Sequence, residues 1–177
     1  MAEREMPPFD YVDFYQRLTA YYRKHPQAIG WLRRTNTSIE YLMYGLYLAQ
    51  LLGLALTYNW VDLGMTLLIP GLSFICLSLF RKSINRPRPY ETWPIEALIK
   101  KDTKGASMPS RHVFSASLIS MASWQLWPWL AVPALGLSLM LAYCRVAGGI
   151  HYVKDVLVGY GLGLLSSWLL LYLVAVF

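Results

Sequence analysis

An all-α integral membrane bundle is the fold class this sequence predicts, and three observations predict it. Hydrophobic residues make up 56% of the 177-residue chain and charged residues only 15%, a balance suited to lipid rather than to water. Uncharged apolar stretches run over 41–61, 63–80, 113–144 and 156–177; about 20 residues make one helical span, so the third stretch is long enough for a helical hairpin. The remaining charges gather between these stretches, not within them. About five transmembrane helices follow, with Pro128 at the turn of the hairpin and an amphipathic helix ahead of the first span.

Taken in order, residues 10–24 place Tyr11, Phe14, Tyr15, Leu18, Tyr21 and Tyr22 at helical spacing, opposite Asp13, Arg17, Ala20 and Lys24. That is the pattern of an amphipathic helix. Its aromatic face and basic flank fit a lipid interface, and they fit equally well a helix packed on the loops of its own protein. Thr37 and Glu40 make a capping box at the entry to the first span, ahead of Tyr41. The chain thus divides into an N-terminal interfacial segment, 1–40, and a transmembrane region, 41–177. No cleavable signal peptide is visible, and the first span would itself target the chain. Trp60, Trp124, Trp127 and Trp129 fall at expected span ends, where an amphipathic ring sits best. Cys76 and Cys144 share no CxxC or metal spacing and read as small core residues. No repeat, low-complexity tract or linker marks a second domain.

Threading five spans from the N-terminus puts the N-terminal region, the loop 81–111 and the segment 145–154 on one face of the membrane. Every Lys and Arg falls on that face. Setting aside Arg81, Arg88, Arg111 and Arg145 as ligands leaves twelve of the sixteen basic residues, so the positive-inside rule points this face toward the cytoplasm of a cell membrane.

Three polar clusters meet there: RKSINRPRP at 81–89, PSRH at 109–112 and RVAGGIHYVKD at 145–155. Ionisable groups beside a bilayer are costly, and clusters this rich in Arg and His ask for a function. Handling of a phosphate group supplies one. In the third cluster, His151 and Asp155 stand four residues apart, so that on a helix the carboxylate accepts the proton-bearing ring nitrogen and the other nitrogen is free to attack. Gly148 and Gly149 allow a sharp turn and close approach to an anion. In the second cluster, Ser110 is a good N-cap for a helix beginning near Arg111, whose free amides suit a phosphate; His112, in the first turn, suits proton transfer to a departing oxygen. The first cluster sets Arg81, Lys82, Arg86 and Arg88 within eight residues, with guanidinium forks that match phosphate oxygens. Each cluster alone also fits a bland role: a paired His and Asp at a helix start, a capped helix, a basic span terminus. Lys100, Lys101 and Lys104 read as a solvated rim. Metal-site spacing is lacking and Asp155 is the one carboxylate inside a cluster, so no cofactor or metal is expected.

Together the clusters resemble the type 2 phosphatidic-acid phosphatase superfamily, whose pattern is KxxxxxxRP, then PSGH, then SRxxxxxHxxxD. Arg81 and Arg88-Pro89 match the first element with Arg in the Lys place. Pro109-Ser110-Arg111-His112 matches the second with Arg for Gly, and Cys144-Arg145, His151 and Asp155 match the third with Cys for Ser. The resemblance implies that His151 attacks phosphorus to form a phosphohistidine, that Asp155 orients it, and that His112 protonates the leaving group and then activates water. It implies that Arg81, Arg88, Ser110, Arg111 and Arg145 cradle the phosphate, with Lys82 as an additional candidate beside Arg81. The implied substrates are lipid phosphates or pyrophosphates. An outward-facing site, the habit of bacterial members, suits undecaprenyl pyrophosphate, and an inward one suits phosphatidate or phosphatidylglycerol phosphate. Two other readings remain: a vanadate-dependent haloperoxidase-like enzyme, which shares the pocket, and a non-catalytic protein that binds anionic lipid. The expected partners are lipid phosphate and membrane lipids, with no nucleic acid; the sequence does not set the oligomeric state.

Overall fold

The computed structural model describes residues 10–176; the first nine residues and Phe177, the end of the expected last span, lie outside them. Helix α1 (Tyr11–Lys24) starts where Asp10 Oδ1 accepts the amides of Val12 at 2.8 Å and Asp13 at 3.4 Å. Its Tyr11, Tyr15 and Thr19 are buried, and they are buried against this protein's own loops. Tyr15 donates its hydroxyl to the Ala147 carbonyl at 3.1 Å, and the Tyr11 ring lies 5.8 Å from Trp93 and 5.1 Å from Tyr152.

Helix α2 (Pro26–Leu56) runs unbroken through Thr37 and Glu40, so the capping box expected there does not form. Pro26 begins the helix instead, at a position where a missing N–H costs nothing. From there Leu32, Asn36, Ile39 and Met43 continue one buried stripe, which leaves no reason for a break at residue 40. Helix α3 (Trp60–Ile84) is capped by Asn59, whose Oδ1 accepts the Asp62 amide at 3.3 Å, and ends at Asn85 in the left-handed conformation with φ 44°. A single turn, α4 (Pro89–Thr92), precedes a long loop. Then come α5 (Arg111–Ala122) with a 3₁₀ turn at Ser123–Gln125, α6 (Pro128–Ala147) with Pro128 in its first turn, and α7 (Val153–Val176).

Among the described residues, four helices are long and apolar enough to cross a membrane: α2, α3, α6 and α7. The other expected span is α5, which at about 1.5 Å per residue is only roughly 18 Å long, short of the ~30 Å hydrocarbon core. It can be short because protein surrounds it. Helices α7 and α6 cover most of it, with α2 and α3 on its remaining sides, and Val113, Phe114, Ala116, Leu118, Ile119 and Ala122 are buried. Small and polar residues let these helices approach, as packing within lipid favours. Ser167 donates to the Leu118 carbonyl at 2.8 Å and Gln50 Nε2 to the Ala122 carbonyl at 2.6 Å. A Cβ on Gly163 of α7 would stand 2.0 Å from Ser117 Oγ and 2.5 Å from the Phe114 carbonyl, so only glycine permits that contact.

The outer surface is apolar, with Leu48, Leu52, Leu68, Leu72, Leu79 and Leu165 exposed where lipid would meet them. Cys76 belongs to this surface and not to the core; Cys144 is buried as expected. Trp60, Trp124 and Trp129 are exposed at the end of the bundle remote from α1. The multi-pass character read from hydropathy therefore holds, and the polar clusters collect at the α1 end.

Candidate active site

Hydrogen bonds tie the three clusters to one another in pairs. Arg81, a buried residue in the last turn of α3, donates Nη1 to the Pro109 carbonyl at 2.5 Å and Nη2 to the Ala106 carbonyl, joining the first cluster to the second. Arg88 donates Nη1 to the Ile150 carbonyl at 3.1 Å and Nε to the Gly105 carbonyl at 3.1 Å, joining the first to the third. The Ser110 amide donates to the Asp155 carbonyl at 2.9 Å, joining the second to the third. The α5–α7 contact makes this last bond possible, because Gly159 lies directly over Ser110. Arg81, Arg88, Arg145, Ser110, His151 and Asp155 are all buried.

His151 lies in the turn between α6 and α7, two residues ahead of Val153, the first residue of α7, and so not on the helix with Asp155. Its Nδ1 stands 3.6 Å from Asp155 Oδ2, too far for a direct hydrogen bond. Ser107 fills the gap: its hydroxyl lies 3.4 Å from His151 Nδ1 and donates to Asp155 Oδ2 at 2.5 Å. Asp155 is fixed further by the Tyr152 amide at 3.1 Å and by Arg86 Nη1, which donates to Oδ1 at 3.1 Å; the Arg86 guanidinium also lies 4.6 Å over the Tyr152 ring. Burial, the largest influence, lowers the His151 pKa to about 4 despite the pull of Asp155, and Arg88 and Arg145 act in the same direction as burial. Near pH 7 the imidazole is neutral, with Nδ1 turned to the serine and carboxylate. Gly149, with φ 76°, shapes this turn. A Cβ there would meet the Tyr15 hydroxyl at 2.7 Å, and one on Gly148 would meet Ile99 at 2.7 Å. Both glycines thus let the backbone approach neighbouring protein closely.

His112 occupies the first turn of α5, its side chain 27% exposed, with Nε2 3.9 Å from Glu40 Oε2. Glu40 comes from the middle of α2 and also pairs through Oε1 with Nη2 of Arg145. Ser110 sits at the N-cap position of α5, yet its hydroxyl makes no capping bond. Ser110 Oγ and Arg145 Nε are both buried without a hydrogen-bond partner, as are five other side-chain atoms among the described residues, Asn36 Oδ1 and the Tyr11 hydroxyl included. Arg111 turns outward, its guanidinium 5.7 Å from the Phe74 ring, and with Glu40, Tyr44, Phe74 and His112 lines a cavity of about 260 Å³. Lys82 is exposed on α3 and is not gathered with the others.

Ser107, Glu40, Arg86 and Lys101 complete the setting. Ser107 was foreshadowed only by its position two residues before Pro109. Glu40 is signalled by an acid one residue before an apolar run. Lys101, expected in a solvated rim, is half-buried; burial first, then Arg145 and Arg88, push its pKa down to about 8. It is carried there by a loop in which the Ile99 amide donates to the Gly148 carbonyl at 3.1 Å. Among the described residues, no three His, Cys, Asp or Glu side chains gather in a way that could hold a metal ion. A buried neutral imidazole braced by a carboxylate, a second imidazole and several guanidinium groups can together bind an oxyanion, attack it and move a proton.

Comparison with known structures gives the same architecture. The chain is similar to the crystal structure of Aquifex aeolicus LpxE, with a TM-score of 0.70 and 19% sequence identity over 94% of this chain and 98% of that one; at this identity the likeness is one of fold. It overlaps more loosely, at a TM-score of 0.48 and 21% identity over 92% of each chain, the first transmembrane PAP2 type phosphatidylglycerolphosphate phosphatase from Bacillus subtilis. A comparison with curated proteins finds no match. Residues 43–177, which hold all three clusters and every long span except the start of α2, match the PAP2 superfamily, and the chain belongs to that superfamily of membrane phosphatases.

Proposed function

We propose that this membrane phosphatase hydrolyses phosphate or pyrophosphate esters of lipids through a phosphohistidine at His151. The observation that carries the reading is the His151–Ser107–Asp155 arrangement, set where three sequence-distant clusters are bonded together and where Ser110 Oγ and Arg145 Nε lack protein partners. His151 Nε2 attacks phosphorus while its Nδ1–H is held toward Ser107 and Asp155. The bond from phosphorus to the ester oxygen breaks, and His112 gives that oxygen its proton. His112 then takes a proton from water, hydroxide attacks the phosphohistidine, and cleavage of the P–N bond returns neutral His151 and inorganic phosphate. Arg145 and Ser110 hold the phosphoryl oxygens, while Arg81, Arg88 and Lys101 supply positive charge around them. Arg81 and Arg88 act largely through the carbonyls they fix, and Arg111 suits the part of the substrate nearer the lipid. The chain crosses the bilayer five times in this reading, with α5 as the short inner pass and the cavity beside Phe74 and Tyr44 open toward lipid.

The test is phosphate release from detergent-solubilised phosphatidate, phosphatidylglycerol phosphate and undecaprenyl pyrophosphate, with and without EDTA. The expected result is turnover that survives EDTA and falls by a hundredfold or more in His151→Ala and His112→Ala, about the size of one general acid–base group. Full turnover in His151→Ala would sink the covalent mechanism. Lipid binding without turnover in the unaltered protein would favour the non-catalytic reading.

A further inference from the structure

Glu40 has no place in the motifs that define the site, yet its carboxylate lies between two of their residues. It reaches them from α2, more than seventy residues earlier in the chain. Oε1 pairs with Arg145 Nη2 and also accepts Asn36 Nδ2 at 2.7 Å, while Oε2 lies 3.9 Å from His112 Nε2. Arg145 is 3% exposed, so its charge has little water to rely on and the carboxylate is its counter-ion. A carboxylate and a phosphate present the same chemistry to a guanidinium: oxygens of negative charge in a plane the fork can grip. Glu40 therefore stands where phosphate oxygens would bind Arg145.

We propose that Glu40 is a positioning residue that competes with phosphate for Arg145 and, once displaced, braces His112. When phosphate oxygens take Arg145 Nη2, Oε1 loses its cation, and the carboxylate is left facing the imidazole that must carry a proton to the leaving group. The other groups facing His112 are Arg145 of α6, Lys101 of the preceding loop, His151 of the α6–α7 turn and Arg111 of α5, none of them negative. The same competition weakens the hold on inorganic phosphate, the product, and so favours its release.

The inference rests on the proposed function for its kinetic half but not for its binding half. Purified protein and the near-isosteric Glu40→Gln variant are titrated with inorganic orthophosphate by calorimetry, and lipid phosphate turnover is measured alongside. The expected result is orthophosphate bound about tenfold more tightly by the variant, the size of one partly screened charge pair, together with a kcat lowered about tenfold or more. Glu40→Asp, shorter by one methylene, is expected to shift both in the same directions by less, and serves as the second variant should Gln prevent folding. A purely architectural Glu40 predicts that orthophosphate affinity and kcat fall together, which would overturn the proposal, as would an unchanged affinity or no orthophosphate binding by any form. Absence of turnover in the unaltered protein would remove the proposed hydrolysis and leave the orthophosphate comparison to judge Glu40 by itself.

Discussion

Burial among guanidinium groups holds the His151 imidazole neutral well below the ordinary range of histidine, and for a nucleophile this has a definite sign. In the proposed mechanism the attacking nitrogen needs its lone pair, so activity through His151 would be lost as pH falls through its pKa and present above it. With that pKa lowered from 6.5 to about 4, the acid limb of kcat/KM is expected near pH 4; a midpoint near 6.5 in a pH–rate profile would contradict the burial of the ring. The pairing of His151 and Asp155 was legible in the sequence from their separation, which by itself fitted a structural pair equally well and gained weight only beside the other two clusters. Their link through Ser107 was not, because it depends on a loop that no periodicity describes, folded back so that the Ser107 amide donates to the Arg86 carbonyl at 2.9 Å. Glu40 and Lys101 escaped for a related reason. One looked like a helix cap and the other like a solvated rim, and only tertiary packing brings either to Arg145.

At the scale of elements, the contact between α5 and α7 sets the distance from His112 to His151, and glycine sets the contact. A methyl group at Gly163 would press on the Phe114 carbonyl as well as on the movable Ser117 hydroxyl, whereas one at Gly161 meets nothing within 4 Å. Gly163→Ala is therefore expected to cost about 1–3 kcal/mol, the usual penalty of overpacking, and to lower turnover by spreading the two helices. Gly161→Ala, on the same helix, is expected to do neither. Thermal unfolding in detergent and phosphate release check both, and equal effects from the two changes would refute the close-contact account. Hydropathy was enough to find the long helices, because exposed leucines and valines repeat along them. It misplaced the start of α2, where a mixed polar segment from Pro26 to Glu40 continues the helix, and it could not tell that half of the 113–144 stretch is a short helix enclosed by the others.

Across the whole molecule, Asn59 and Asp62 stand at one end of the bundle and the three polar clusters gather at the other. α1, the loop between α4 and α5 and the C-terminal end of α6 are joined there by the Tyr15 hydroxyl, which donates to the Ala147 carbonyl and accepts the Leu98 amide at 3.4 Å. The α2–α3 turn at Tyr58 lies at the other end. In a Cys76→Ala background, a membrane-impermeant maleimide is expected to label Lys24→Cys and Lys104→Cys from one side of sealed vesicles and Tyr58→Cys from the opposite side. Labelling of Lys24→Cys and Tyr58→Cys from the same side would break the threading. The meeting of the three clusters was readable from the charges, since Arg81, Arg88, Arg111 and Arg145 fall in the segments that come together there. The shelter around α5 also bears on biogenesis. A segment of twelve residues with three serines is a poor candidate for lodging in lipid unaided, and Ser167 and Gly163, which close over it, belong to α7, more than forty residues further along the chain. α5 thus depends on α7 for its cover, and a polypeptide cut short before α7 would leave α5 with neither cover nor anchor.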